Sequence, residues 1–202
     1  RLTNTKVQRG RTSAMMDLAL QLDGAWSFLP ASKWSLDARL DHSPTDDLQQ
    51  ILGLNYPVTG LLTGDFRGSG TRAAPLLDGD FVLEEIDAKG VRFDRLSGQL
   101  HLKQDEIRLS NAELRRDTAR VTGEVAYHSQ EQTVEFNLTG AGIVLEKISA
   151  IQNASIPIGG ELKFDLRGSG PLLAPVAQGD LHLAKVRLGA EDEGDFRAQL
   201  SS

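Results

Sequence analysis

An internal repeat with an interval of 100 residues is the feature that most limits what this chain can fold into. Residues 60–86 align with residues 160–186 without a gap, and twelve of the aligned positions are identical. We therefore expect about two copies of a unit of roughly 100 residues. The expected division is the C-terminal part of one unit at 1–59, a complete unit at 60–159, and the N-terminal part of the next at 160–202.

Apolar and polar residues alternate with a period of two within each copy. The run at 162–166, for example, reads Leu-Lys-Phe-Asp-Leu. This alternation is typical of antiparallel strands with one apolar face, and the Gly-, Asp- and Ser-containing clusters between the runs are typical of turns. The sequence predicts an all-β fold in which antiparallel strands form an elongated, incurved sheet. Short helices are expected only at the unit junctions, over 45–52 and 145–152.

The segment FRGSGTRAAPLLDGDF at 66–81 spaces its glycines almost as dinucleotide-binding turns do. Such a turn needs a helix directly after the glycines, because the N-terminal amides of that helix hold the pyrophosphate. Here Pro75 follows the glycines, and the second copy has Pro171 and Pro175 in the same region. We interpret both copies as strand-to-strand connections and predict no nucleotide site.

Composition argues against several classes of function. The chain has 28 acidic and 22 basic residues, a net charge of −6, and scattered basic residues, so we expect no binding to nucleic acid. It has no cysteine, which removes thiolate metal sites and cysteine nucleophiles. No apolar run reaches the roughly 18 residues that a membrane-spanning helix needs. No motif indicates an enzyme, and we predict no cofactor.

Histidines and clustered carboxylates are the remaining candidates for a metal site. The carboxylates at 43–47 and 191–195 do not match the spacing of a calcium-binding loop, so we predict solvated turns there. The histidines are scattered along the sequence, and most alternate with apolar neighbours, which predicts the polar face of a sheet. They are His42, His101, His128 and His182. We therefore predict no metal site.

The predicted strands each have an apolar face, yet the sequence offers almost no helix to cover it. A bare sheet would expose more contiguous apolar surface than soluble monomers tolerate. The sheet must therefore pack against itself or form a trough for an apolar ligand. Aromatic residues make up only 5% of the chain, and small inward residues such as Gly64, Gly98 and Ala119 leave room for a ligand. Small residues would equally let two halves of a sheet approach closely, so the residues alone leave both alternatives open.

The repeated segment resembles the TamB/AsmA-like family. The pattern is a strand ending in Gly-x-Gly, an Ala-Pro linker and a Gly-containing hydrophobic run. It stands here as LTGDFRGSGTRAAPLLDGDFVLEEI and LKFDLRGSGPLLAPVAQGDLHLAKV. The resemblance implies a β-groove with an apolar inner face, in a periplasmic protein anchored in the inner membrane of diderm bacteria. It implies phospholipid transport between the inner and outer membranes, and a role in outer-membrane protein assembly together with a barrel partner.

From the pattern and the resemblance together, we expect a segment that conducts lipid without catalysis. The alternative is a structural or adhesive β-repeat spacer with a self-packed core and no lipid. Exposed strand edges are expected to favour dimerisation of this segment. In the lipid-conducting case, acyl chains would contact the inward apolar residues of the alternating runs, namely Leu62, Phe66, Phe81, Leu83, Leu100, Leu102, Val121, Val125, Val134, Phe136, Leu138, Leu162, Phe164, Leu166, Leu181 and Leu183.

Overall fold

A computed structural model describes residues 1–9, 12–25, 27, 29–52, 55–71, 73–148, 151, 158–188 and 191–201 of the chain. Twelve antiparallel strands form one open sheet in which the strands follow their order in the sequence, so the predicted all-β antiparallel fold is confirmed. The strands are β1 (Leu2–Arg9), β2 (Thr12–Leu20), β3 (Trp34–Pro44), β4 (Val58–Gly70), β5 (Pro75–Ala88), β6 (Val91–Lys103), β7 (Glu106–Arg116), β8 (Ala119–His128), β9 (Thr133–Val144), β10 (Ile158–Pro171), β11 (Val176–Leu188) and β12 (Glu191–Leu200), with one helix, α1 (Thr45–Leu52), and a 3₁₀ turn at Leu145–Lys147.

The chain divides into two compact units. Unit 1 comprises Arg1–Asn111 and unit 2 comprises Ala112–Ser202. The 100-residue interval of the sequence recurs in the positions of their elements, since β4 begins at residue 58 and β10 at residue 158, while α1 begins at residue 45 and the 3₁₀ turn at residue 145. The repeat boundaries at 59/60 and 159/160 stay a prediction.

The glycine-rich segment 66–81 joins two strands, as its prolines predict. Residues 71–74 connect β4 to β5, and within them the N–H of Thr71 donates to the carbonyl oxygen of Ala74 over 3.2 Å. Gly70 has a φ of +113°, which residues with a side chain rarely adopt. The second copy likewise joins β10 to β11. A strand rather than a helix follows the glycines in both copies, so neither copy presents helix N-terminal amides to a phosphate.

The helix predicted over 45–52 is present as α1, and hydrogen bonds fasten it to the start of β4. Thr45 Oγ1 and Gln49 Nε2 both donate to the carbonyl oxygen of Val58, over 3.3 and 2.8 Å. The hydroxyl of Thr12, at the start of β2, donates to Asp47 Oδ2 over 3.2 Å. The carboxylate of Asp47 in the 43–47 cluster thus has a structural partner.

The second predicted helix, over 145–152, is described only in part. The structure has the 3₁₀ turn at its start and a helical residue at Ile151, and residues 149, 150 and 152 lie outside the described residues. Glu146 fastens this turn by accepting hydrogen bonds from the N–H of Gly160, over 3.2 Å, and from the guanidinium of Arg187. Hydrogen bonds from its own backbone N–H, from Gly160 and from Arg187 lower the pKa of the Glu146 carboxyl group.

Candidate functional site: an apolar face on each unit

Strand pairing brings many of the apolar residues of unit 1 together in rows on one face of the sheet. Residues that are paired across antiparallel strands point to the same side, and each strand contributes every second residue. Three rows that cross β2 to β6 consist entirely of apolar residues and glycine. They are Leu18, Leu36, Gly68, Leu77 and Leu102; Met16, Ala38, Phe66, Gly79 and Leu100; and Ala14, Leu40, Gly64, Phe81 and Gly98.

Unit 2 has an apolar face of the same construction. Three rows cross its strands from β8 onwards, and they too contain only apolar residues and glycine. They are Val121, Gly140, Phe164, Leu181 and Ala198; Gly123, Leu138, Leu166, Gly179 and Leu200; and Val125, Phe136, Gly168 and Ala177. The rows differ in composition between the units, but each unit has three such rows on one side of its strands, and the charged residues of the paired positions lie on the other side.

All sixteen residues that the sequence predicted as lipid contacts lie on these two faces, in the rows above or in the rows beside them. Leu62 pairs with Leu83, and Leu162 pairs with Leu183, one row further along their strands. Leu83 and Val134 are buried, with exposures of 9% and 8%, and the other fourteen residues are half-buried. The faces are therefore formed as predicted from the alternation, while contact of these residues with acyl chains stays a prediction.

Protein covers these apolar faces only in part. Among the described residues, eight apolar side chains are buried, and three of the eight are alanines. The chain exposes 13348 Å² of surface. A compact protein of 21.9 kDa would expose about 9300 Å², and two separate compact proteins of half that mass about 11200 Å² in total. The exposed area exceeds both values, as expected if much apolar surface is left uncovered.

Aromatic rings occupy the space beside glycines on the neighbouring strands. A Cβ atom on any of four apolar-face glycines would lie within 2.6 Å of a ring atom, whereas real Cβ contacts essentially never fall below 3.0 Å. The pairs are Phe66 with Gly79, Trp34 with Gly68, Phe164 with Gly140, and Phe136 with Gly168. Glycine thus lets each ring lie close to the backbone of the next strand. Sequence reasoning noticed the small residues but missed this use of them, because the partner of each glycine lies on another strand.

The opposite face of unit 1 is charged. Arg39 Nε donates to Asp65 Oδ1 over 2.6 Å, and this hydrogen bond lowers the pKa of Asp65 and raises that of Arg39. Arg67 and Asp37 form the next cross-strand pair on this face, and Arg67 Nε lies 3.5 Å from Asp37 Oδ1. These side chains are largely exposed, so each pair contributes little to stability. Because positive and negative side chains alternate, this face stays hydrated and does not create a large electrostatic field of one sign.

Asp78, His101 and Ser110 form a hydrogen-bonded row across β5, β6 and β7 on the charged face of unit 1. His101 Nδ1 lies 2.7 Å from Asp78 Oδ1, and His101 Nε2 lies 3.2 Å from Ser110 Oγ. The order of the groups matches a hydrolase triad. However, 43% of the His101 side chain and 71% of the Asp78 side chain are exposed. A water-exposed sheet surface lacks the excluded, preorganised surroundings that stabilise an oxyanion, so we interpret the row as cross-strand hydrogen bonding.

Two of the other histidines considered as metal candidates lie beside carboxylates. His42 hydrogen-bonds to Asp41 over 2.6 Å, which raises its pKa. His182 lies 3.7 Å from Asp195. Within the described part of the chain, no group of three potential metal ligands comes together. Of the 191–195 cluster, the side chains of residues 191–193 lie outside the description. None of the helices described has the length and hydropathy needed to cross a membrane.

Comparison with family models, curated proteins and solved structures finds no match to this chain. The resemblance to TamB/AsmA-like proteins therefore depends on the repeated sequence segment. At the level of architecture, the chain is a long, all-antiparallel, twelve-stranded open sheet.

Proposed function

We propose that this chain is a segment of a periplasm-spanning protein that conducts phospholipid between the inner and outer membranes, with acyl chains held on the apolar face of each unit. One observation carries the proposal: fourteen of the sixteen predicted contact residues are half-buried, so the faces still expose apolar surface. The sequence resemblance supports the periplasmic setting, anchoring of the full-length protein in the inner membrane, and an outer-membrane barrel partner.

Energetics favour an apolar ligand on such a surface. Covering apolar surface is worth about 25 cal/mol per Å², so shielding some 40 Å² on each of ten half-buried residues would contribute about 10 kcal/mol before the cost of binding. A flexible acyl chain can follow rows of Leu, Val and Phe side chains without specific hydrogen bonds. Conduction of this kind needs no chemical step, and we propose no enzymatic activity.

The rival is a β-repeat spacer without lipid, which needs a core packed by its own side chains. The small number of buried apolar side chains argues against it. Lipid extraction and native mass spectrometry of the purified 202-residue chain separate the two functions. Co-purifying phospholipid is the result expected for the conduit, and lipid-free protein that also fails to accept phospholipid from vesicles is the result expected for the spacer.

Two neighbouring residues of β9 provide a matched test of transport. Leu138 lies on the apolar face of unit 2, whereas Asn137 points to the polar side, where it is exposed and paired with Arg167. Leu138→Asp and Asn137→Asp each add one carboxylate. We expect Leu138→Asp to reduce phospholipid transfer between vesicles at least tenfold, because a charge on the apolar face is costly to desolvate, at about 2 kcal/mol or more. Asn137→Asp should transfer at the parental rate.

Circular dichroism and protein yield control for folding of both variants. Equal transfer by Leu138→Asp and the parent, at normal yield and with unchanged β content, would contradict the proposal. The same substitution at Leu166, which pairs directly with Leu138, should give the same loss of transfer.

A further inference from the structure

One arginine shares the apolar face of unit 2, at the end of β7. Glu113 of this strand pairs with Arg120 of β8, whose neighbour Val121 belongs to the apolar rows, so Glu113 and Arg120 point to the polar side. Arg115 hydrogen-bonds to Glu113 and shares that side. Alternation along the strand then places Arg116 on the apolar face. Its side chain is half-buried, whereas that of Arg115 is exposed.

Arg116 stands at the border of the apolar face. It is the last residue of β7, residues 117–118 form the turn, and β8 begins with Ala119 on the same side as Val121. The neighbouring carboxylate of Asp117 pairs with Lys147 over 3.0 Å, so another cation offsets its charge. An arginine at such a border can lay its aliphatic stem on apolar surface while its guanidinium stays hydrated.

We propose that Arg116 binds the phosphate of a phospholipid headgroup whose acyl chains lie on the apolar face of unit 2. This inference rests on the proposed function and deepens it. A guanidinium binds phosphate through paired, charge-assisted N–H donors, which a neutral side chain cannot provide. The rows that begin at Val121 offer apolar surface for the chains, so one amphiphilic ligand satisfies both the charge and the apolar residues.

The arrangement makes two predictions about lipid handling. Each bound lipid keeps its headgroup at the hairpin border, next to water, and its chains on the sheet. The face also distinguishes a phospholipid from a diacylglycerol with the same chains, because only the phospholipid carries a phosphate. A purely apolar trough would bind the two according to their chains alone.

Equilibrium binding of fluorescent phosphatidylglycerol and fluorescent diacylglycerol with identical chains, each supplied to the 202-residue chain, tests the anchor. The variant is Arg116→Gln. The control is Arg115→Gln, which removes the same charge from the preceding residue of the strand, an arginine that points to the polar side. We expect Arg116→Gln to weaken phosphatidylglycerol binding by unit 2 about three- to tenfold and to leave diacylglycerol binding unchanged. The control should bind both lipids as the parent does.

The outcomes separate the anchor from the function on which it rests. Parental binding of phosphatidylglycerol by Arg116→Gln, while Leu138→Asp weakens the binding of both lipids, would overturn the anchor and leave the proposed function standing. Failure of the parent to bind either lipid would overturn both. Displacement of phosphatidylglycerol by an equal concentration of inorganic phosphate would show a site for free phosphate and would overturn the lipid assignment.

Discussion

Gly140 offers the sharpest test of how the apolar face is built. This glycine is buried on β9, and a Cβ atom added to it would lie 2.3, 2.5 and 2.8 Å from three atoms of the Phe164 ring. No other atoms are among its three nearest neighbours, and its backbone does not adopt a positive φ. Gly140→Ala therefore perturbs one contact, and that contact can be removed separately.

The expected effect combines two terms of opposite sign. Overpacking a methyl group against the ring costs about 1–3 kcal/mol. Alanine in a strand recovers about 0.5–1 kcal/mol relative to glycine, because the unfolded chain loses less entropy on folding. We expect Gly140→Ala to lower the free energy of unfolding by about 1–2 kcal/mol, which corresponds to a decrease in melting temperature of about 4–8 °C per kcal/mol for a unit of this size.

Urea denaturation followed by circular dichroism measures the effect, and a double-mutant cycle assigns it. In a Phe164→Ala background the clash is absent, so Gly140→Ala should be neutral or stabilising by up to about 1 kcal/mol, giving a coupling energy of about 1–3 kcal/mol. Gly24→Ala is the control, because a Cβ atom there meets nothing within 4 Å. An equal loss of stability from Gly140→Ala with and without the Phe164 ring would refute the view that this glycine makes room for the ring.

Two further predictions concern hydrogen bonds outside the apolar face. The pKa of the Glu146 carboxyl group is lowered in the folded chain, so its ionised form stabilises the fold at pH values above the unfolded pKa of 4.5, and this contribution is lost as the pH falls through the folded pKa. In urea titrations, Glu146→Gln should therefore be less stable than the parent at neutral pH, and the difference should shrink as the pH falls below 4.5. Glu135→Gln, on the exposed polar face, serves as the control. Ser110→Ala should lower the free energy of unfolding by about 0.5–1.5 kcal/mol, because the hydrogen bond to His101 is lost, and should leave the background rate of ester hydrolysis unchanged. A hydrolysis rate that falls with this substitution would contradict a purely structural role for the row of Asp78, His101 and Ser110.

The strands and their faces could be predicted from the sequence because a period of two is a local signal. The run at 162–166 lies in β10 with its apolar residues on one side, and 45–52 forms the helix expected there. The repeat added information that a single copy lacks. Pro75 and its counterpart Pro175 together argued against a helix after the glycines, and in the structure β5 begins at Pro75 and β11 begins directly after Pro175.

Contacts between strands could not be predicted, because they depend on register. The seating of Phe66 against Gly79 follows from the pairing of these two residues across β4 and β5, and alternation alone does not fix that pairing. The row of Asp78, His101 and Ser110 likewise forms only once three strands are aligned. Positive φ angles at Glu85 and Lys185, which lie 100 residues apart, had no local signal either, because both residues carry side chains that disfavour this conformation.

The glycine–ring pairs join two features of the sequence that looked independent. Aromatic content is low, and glycines recur at inward positions. In the structure the two features meet, because each ring in a pair lies where a neighbouring Cβ would be, so an aromatic residue adds apolar surface without standing as far above the sheet as it would over an alanine. A face built in this way stays low and apolar, which suits the acyl chains of the proposed function. On that proposal, Gly140→Ala displaces the Phe164 ring and should weaken lipid binding by unit 2 even when measured well below its melting temperature.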